Sequence, residues 1–258
     1  MIKIASWNVN SVKARLQNVL DWVKTAKPDV LLLQEVKCQT ENFPRLEFES
    51  EGYNCAVVGQ KSYNGVAVLS RGEIEVIAEV LPGGGEEEQA RYLEVETCGI
   101  RAATIYLPNG NPVSSEKFPY KLGWMERLQA HAAALRLSER PAVLGGDYNV
   151  IPMPEDCHDP KIWEGDALFR PESRNALRRI VHLGYTDALR ALHPEKARAF
   201  TFWDYQGGAW DQDNGIRIDH LLLSPQAADR LEACEIDREP RGRQKASDHT
   251  PIWCELSD

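Results

Sequence analysis

No Cys-x-x-Cys pair occurs in the 258 residues, and the six cysteines (Cys38, Cys55, Cys98, Cys157, Cys234 and Cys254) lie far apart. That spacing speaks against a zinc site and against a compact disulfide framework, so reduced, mostly buried thiols are expected. No apolar run approaches the roughly 18 residues of a membrane span. The opening MIKIASWNVN also lacks the long apolar stretch of a secretory signal. A cytoplasmic chain with no membrane partner is the expectation. A Pro/Ser-rich tract dividing two halves is missing too, which favours one domain over 1–258. With 43% hydrophobic and 27% charged residues, disorder and collagen are excluded.

Positive charge is also short. Thirty Lys and Arg against 39 Asp and Glu leave a net charge of −9, which argues against a nucleic-acid partner and leaves an acidic enzyme of small metabolites open. The distribution changes that reading. Residues 41–100 hold 12 acids and 4 bases, a net of −8, so the other 198 residues carry only −1. A local cationic surface is compatible with such a chain.

What is present is a series of short Val/Ile/Leu-rich runs: IKIASW at the start, VLLLQ at 30–34, CAVVG at 55–59, GVAVLS at 65–70, RAATIYL at 101–107, AVLG at 142–145, IRIDHLLLS at 216–224 and PIWCEL at 251–256. These are strand lengths. Helical spacing falls between them, at Val12, Leu16, Val19, Leu20 and Val23, at Leu122, Met125, Leu128, Ala132 and Leu135, and at Leu177, Ile180 and Val181. Interleaved strands and helices predict a layered α/β or α+β domain with helices outside a sheet core. PGGGEEEQ at 82–89 reads as a solvated hairpin tip, and the Pro- and acid-rich stretch 152–171 as a long ordered loop.

Polar residues recur where apolar strands end: Asn8, Glu35, Tyr106, Asp147 and Asn149, with Asp219 and the pair Asp248-His249 beside the last strands. Asp or Asn after a strand often only closes a turn. The set, converging on one end of a sheet, would combine carboxylates, amides, a phenol and an imidazole. That inventory suits metal-assisted phosphoryl chemistry with a hard cation such as Mg²⁺, which takes carboxylates, waters and phosphate oxygens.

The motifs WNVNS (7–11), LLLQEVK (31–37), YNGVAVLSR (63–71), YLPNG (106–110), GGDYN (145–149), IRIDHLLLS (216–224) and SDHTP (247–251) together resemble the exonuclease III family of abasic-site endonucleases, within the DNase I-like superfamily. PEDCHDP at 154–160 and FTFWDYQGGAWDQDNGIRID at 200–219 resemble its bacterial branch. The resemblance implies a four-layered α/β sandwich of two packed mixed β-sheets flanked by helices. It implies Glu35 as the main ligand of Mg²⁺ (with Mn²⁺ as substitute), Asn8 close to the metal, and Asp248 as a direct or water-mediated partner. It further implies that Asp147, oriented by Asn149, activates water, that His249, paired with Asp219, contacts the scissile phosphate, and that Tyr106 contacts the same phosphate or its leaving side. Relatives often carry Asp or Asn two positions after Asn8, and Asn10 holds that place here.

The implied substrate is double-stranded DNA with abasic sites or blocked 3′ ends, acted on by a monomer. Asn109 and Arg91, with Lys37, Arg71, Lys121, Arg217 and the RGRQK run at 241–245, are available for the DNA backbone. Phe202 and Trp210 belong to an aromatic loop that in the family lines a pocket for a flipped-out sugar and supplies a wedge. Ile216 and Ile218, alternating on one side of a strand with Arg217 opposite, match positions where the family builds that recess. A phosphoesterase of another substrate, such as an inositol phosphate, a sphingolipid head group or a poly(A) tail, is the competing reading. A noncatalytic nucleic-acid-binding relative is disfavoured by the complete set Glu35, Asp147, Asn149, Asp219 and His249.

Overall fold

The computed structural model describes residues 1–84 and 89–258. In chain order its strands are β1 (Ile2–Asn8), β2 (Val30–Gln34), β3 (Asn54–Val58), β4 (Val66–Ser70), β5 (Glu75–Ala78), β6 (Tyr92–Thr97), β7 (Ile100–Tyr106), β8 (Ala142–Asp147), β9 (Thr186–Asp187), β10 (Asp219–Leu223), β11 (Leu231–Ile236) and β12 (Ile252–Leu256). The helices are α1 (Leu16–Ala26), α2 (Arg45–Glu49), α3 (Lys117–Leu137), α4 (Pro171–Val181) and the short α5 (Ala188–Leu192) and α6 (Pro225–Ala228). Two six-stranded sheets result, ordered β11-β12-β1-β2-β4-β3 and β5-β6-β7-β8-β10-β9. Each is mixed, with β1 parallel to β2 and β7 parallel to β8.

The period-2 alternation of each strand divides its side chains between two cores. Ile4, Val30, Leu32, Val66 and Val68 of the first sheet meet Val95, Ala102, Val143, Leu221 and Leu223 of the second in a core between the sheets. The odd residues of β1 and β2, Ala5, Trp7, Leu31 and Leu33, turn outward onto Val19, Trp22 and Val23 of α1. On the far side Ala103, Ile105 and Leu144 pack on Trp124, Met125 and Leu128 of α3 and on Leu177 and Ile180 of α4. Four layers follow from strands that are apolar on both faces, and the expected sandwich is borne out.

Glycine makes room between the sheets just below Asp147: a Cβ on Gly145 would lie 2.6 Å from Leu32 Cδ1 and 2.8 Å from Leu221 Cδ2, so a side chain there would displace those two leucines.

Several expectations are refined. Val12 lies in the turn before α1 rather than on the helix. Strands β5, β6, β9 and β11 come from segments whose charged residues hid them. β5 and β6 pair antiparallel across the acidic tip, of which residues 85–88 lie outside the described residues. All six cysteines are free, and Cys38, Cys157, Cys234 and Cys254 are buried. The stretch 152–171 is an ordered loop tied by Ile151 N–H to the Leu168 carbonyl (2.9 Å) and by Arg217 to Asp156.

Candidate active site

The registers bring the polar strand ends together. Asn8 sits opposite Gln34, Tyr106 opposite Asp147, and Asp147 opposite Asp219. Each of these residues ends the row of its strand that faces the other sheet. The last inward apolar layer is capped by a fully buried polar junction, in which Gln34 Nε2 donates to Ser6 Oγ (3.1 Å) and Thr104 Oγ1 (2.9 Å). Thr104 in turn donates to the Leu33 carbonyl at 3.1 Å. Satisfied polar groups at this depth lock the relative position of the two sheets.

Above that junction Asn8 Nδ2 donates both to Glu35 Oε1 (2.8 Å) and to Asp147 Oδ2 (2.9 Å), while its Oδ1 accepts from the Asn10 N–H (3.0 Å). The backbone contact fixes the amide, so its nitrogen rather than its oxygen faces the two carboxylates. Glu35 stands at φ +52°, a left-handed conformation uncommon for a side chain of its size. Its other oxygen pairs with Lys37 Nζ at 2.8 Å. Asp147 Oδ1 accepts the Asn149 N–H at 2.9 Å. Asn149 Nδ2 donates to the Leu107 carbonyl (2.9 Å) and its Oδ1 accepts from Asn109 (3.1 Å).

His249 is aimed by three contacts. Its Nδ1 lies 2.8 Å from Asp219 Oδ2, its carbonyl accepts from Trp7 Nε1 (3.2 Å), and its N–H donates to Ser247 Oγ (3.2 Å). Ser247 itself donates to the Asn8 carbonyl at 2.7 Å, tying the C-terminal loop to β1. The free ring nitrogen, Nε2, stands 3.8 Å from Asp147 Oδ2.

Burial and charge together set the protonation states. Burial pushes the Asp147 carboxyl up to about 7, His249 opposing and Asp219 adding to the shift. Burial would lower His249, but Asp219 and Asp147 outweigh it and raise the imidazole to about 10. Burial would raise Glu35, yet Lys37 and Asn8 bring it below the usual carboxylate range. Burial, with Glu35 and Asp147 beside it, raises the Tyr106 phenol well above its ordinary value. At neutral pH the site therefore offers an ionised Glu35, an imidazolium donor, a neutral phenol donor and a carboxylate poised to exchange a proton.

Glu35, Asp147 and His249 present ligand atoms within 4.8 Å of one another, a group able to hold a metal ion. An imidazole kept protonated by Asp219 has no lone pair to give, so the donors that fit a hard cation are the carboxylate oxygens of Glu35 and Asp147. Asp248 is half-buried at the same cleft and accepts from Asn10 Nδ2 at 3.1 Å, with Asn10 Oδ1 in turn taking a bond from Lys37.

The cleft encloses about 260 Å³ and continues from these groups to an aromatic and aliphatic wall of Trp163, Leu168, Phe202 and Ile218, with Asn109, Asn111 and Asp166 alongside. Phe202 packs edge-on to His249 at 4.9 Å. Arg91 lies over the Tyr106 ring at 4.7 Å and donates to its carbonyl, so it braces the phenol.

Four expected DNA contacts are corrected, as none of them lines the cleft. Ile216 is buried with Ile151, Cys157 and Phe169 behind the wall and does not line the cleft. Trp210 packs edge-on against Trp203 at 4.9 Å under Arg238 and Arg241, also away from the cleft. Arg217 is fully buried, paired with Asp156 and Asp187 at 2.7 Å each. Lys121, read as a surface cation, is buried as well; its Nζ donates to the carbonyls of Asn149 (2.6 Å) and Asn109 (3.0 Å).

The parts of the site that the sequence did not reveal are Ser247, Asn111, Trp163, Asp166, Leu168 and Asp204. Only Ser247 carried a signal, as the residue before Asp248-His249.

Comparison with known proteins agrees with this geometry. The chain is 33% identical to the exodeoxyribonuclease III of Haemophilus influenzae over 99% of its length and 100% of the relative's. It superposes on an AP endonuclease from Archaeoglobus fulgidus with a TM-score of 0.95 at 37% identity, and on a 3′ phosphatase from Neisseria bound to product DNA hairpin with 0.96 at 35%, each over 100% of both chains. The model of the Endonuclease/Exonuclease/phosphatase family matches residues 5–249, a span that runs from β1 through His249. A chain whose strand ends, carboxylates and His-Asp pair fall within that span belongs to the Endonuclease/Exonuclease/phosphatase family, as a phosphodiester hydrolase.

Proposed function

We propose that the chain is a Mg²⁺-dependent DNA-repair phosphodiesterase that cuts duplex DNA 5′ to abasic sites and removes 3′-blocking groups or 3′-terminal nucleotides. The observation that carries this reading is the opposition of Asp147 and the Asp219-held His249 across 3.8 Å, beside Glu35 and a small apolar recess. A phosphodiester is an anion that repels a nucleophile, so the site must supply positive charge and a base together. A divalent cation at Glu35 and Asp147 would neutralise phosphate oxygens and assist the leaving 3′-oxygen.

The chain's own groups do the rest. His249, as imidazolium, donates through Nε2 to a non-bridging phosphate oxygen, and Asp219 keeps the ring in that orientation. The Asn149 N–H occupies Oδ1 of Asp147, and Oδ2, which accepts from Asn8 Nδ2, has a second lone pair to receive the proton of the attacking water. Tyr106, held neutral, donates to the phosphate or its leaving side. Phe202 and Ile218 border a recess that accepts a baseless deoxyribose and excludes a full nucleotide by volume.

The test is purified protein with an end-labelled abasic duplex, with and without EDTA. Cleavage 5′ to the lesion that EDTA abolishes and Mg²⁺ restores is expected. An uncut abasic duplex, or cleavage indifferent to EDTA, overturns the proposal.

A further inference from the structure

Helix α3 carries a residue that breaks its own pattern. Phe118, Lys121, Met125, Leu128, Ala132 and Leu135 recur at intervals of three and four and are all buried, so the lysine takes a core position in an otherwise apolar stripe. Its Nζ donates to two backbone carbonyls, those of Asn149 (2.6 Å) and Asn109 (3.0 Å). Room for the stem comes from Gly110 at φ +90°, where a Cβ would lie 2.7 Å from Lys121 Cδ. Burying a cation is costly, and an apolar side chain would fill the same stripe without that cost.

The two carbonyls belong to the loops that leave β7 and β8 at the catalytic end. Asn109 Nδ2 donates to Asn149 Oδ1 at 3.1 Å, which closes a ring: the lysine holds both backbones, and the two side-chain amides hold each other. Asn149 also donates Nδ2 to the Leu107 carbonyl (2.9 Å) and its N–H to Asp147 Oδ1 (2.9 Å). It stands at φ +48°, a left-handed conformation that a residue with a side chain keeps only where its surroundings hold it. The carbonyl gripped by Lys121 and the N–H that occupies Asp147 flank that one α-carbon. Fixing the first limits the second.

We propose that Lys121 is a positioning residue for phosphodiester cleavage, acting through Asn149 to hold Asp147 in the orientation that takes a proton from the attacking water. This rests on the nuclease reading above. Lys121 lies behind the cleft and does not line it, so its influence reaches the reacting groups only through the loops it ties. Ammonium or amine, the side chain keeps two protons for the two carbonyls, and the grip does not depend on its charge. An apolar residue of the same length would keep the helix packed while freeing the Asn149 backbone. The loss therefore falls on the rate of the chemical step and not on the binding of duplex.

The experiment pairs single-turnover cleavage of an end-labelled abasic duplex, with enzyme in excess and Mg²⁺ saturating, with fluorescence anisotropy of the same duplex in EDTA. Lys121→Met should slow cleavage at least about 10-fold while Kd stays within about 2-fold of wild type. Leu128→Ala, two turns further along the same stripe and packed in the core with Met125 and Leu144, is the structural comparison: its cavity lowers stability, and it should cut at the wild-type rate. Lys121→Met combined with Asn149→Ala should cut no more slowly than Asn149→Ala alone, because the lysine acts through that residue. Lys121→Gln, with a shorter side chain and no charge to bury, should show the same split between rate and binding and carries the test if Lys121→Met does not fold. A folded Lys121 variant that cuts at the wild-type rate, a rate loss matched by Leu128→Ala or by an equal loss of binding, or losses additive with Asn149→Ala overturns the inference while leaving the nuclease reading intact. A wild type that does not cut the duplex overturns both.

Discussion

Lys121 allows the electrostatics of the site to be tested through stability. Burial pushes its amine down to about 7, against 10.5 for a free lysine, with Asp147 and Asp166 opposing the shift. Between those two pH values the unfolded chain holds a proton that the folded chain lacks. Stability therefore rises with pH across the window, by at most about 1.4 kcal/mol per unit. Below pH 7 both states are protonated, and the cost of burying the cation is fully felt. His249 runs the other way: its folded value of about 10 exceeds 6.5, so its contribution is complete below pH 6.5 and lost as pH rises through 10. The two slopes oppose each other in the wild type, and only a difference isolates the lysine. Lys121→Met keeps the apolar stem, removes the titration and leaves the carbonyls of Asn149 and Asn109 without their donor, at about 1–3 kcal/mol each. Urea unfolding of both proteins over this range should show the gap between wild type and variant widening by about 3–4 kcal/mol from pH 7 to pH 10, with the variant falling behind. Parallel curves would refute the argument and mean that Lys121 stays charged at neutrality.

Four further outcomes are expected. Glu35→Gln removes the anionic ligand but keeps the Asn8 contact, so turnover should fall at least about 100-fold and recover in part at high Mg²⁺; near-wild-type rates in low millimolar Mg²⁺ would reject the assignment. Asp147→Asn should abolish cleavage while duplex binding, measured separately by anisotropy, holds or tightens, since removing a negative charge cannot weaken attraction for phosphate; parallel losses would indicate a structural role. Phe202→Ala should lower the ratio of abasic to undamaged cleavage on one matched duplex. Ile216→Ala should leave that ratio alone and cost about 2–5 kcal/mol of stability, so a shifted ratio for Ile216→Ala would return it to the recess.

How far the sequence could be read depended on burial. β2 and β4 are buried along their whole lengths and appear as unbroken apolar runs. β6 escaped notice because Glu94 and Glu96 interrupt it, yet Glu94 is only 1% exposed, satisfied by Tyr92, Arg101 and His131. Pattern reading assigns a glutamate to solvent and cannot anticipate partners from α3 and β7. Arg217 failed for the same reason: it does point away from Ile216 and Ile218, but Asp156 and Asp187 make that direction interior. Glu35, Asp147 and His249 were legible as a motif set, because strand-end polar residues carry their type and spacing on the page. That Asn8 holds the two carboxylates through its nitrogen was not, since an amide's orientation depends on the Asn10 N–H that meets it. Division into two sheets came only from the family resemblance, as periodicity gives the faces of a strand and not its neighbours.

The junction of Ser247 with the Asn8 carbonyl spans 239 positions of the chain. Neither sheet can hold the proposed reacting groups alone, because Glu35 and Asn8 belong to one and Tyr106, Asp147 and Asp219 to the other. Turnover is therefore a late reporter during refolding. Contacts this remote in sequence form slowly, after the hairpins and helices that need only local closure. Recovery of cleavage should trail recovery of the far-ultraviolet dichroism, and the lag between them measures the docking of one sheet onto the other.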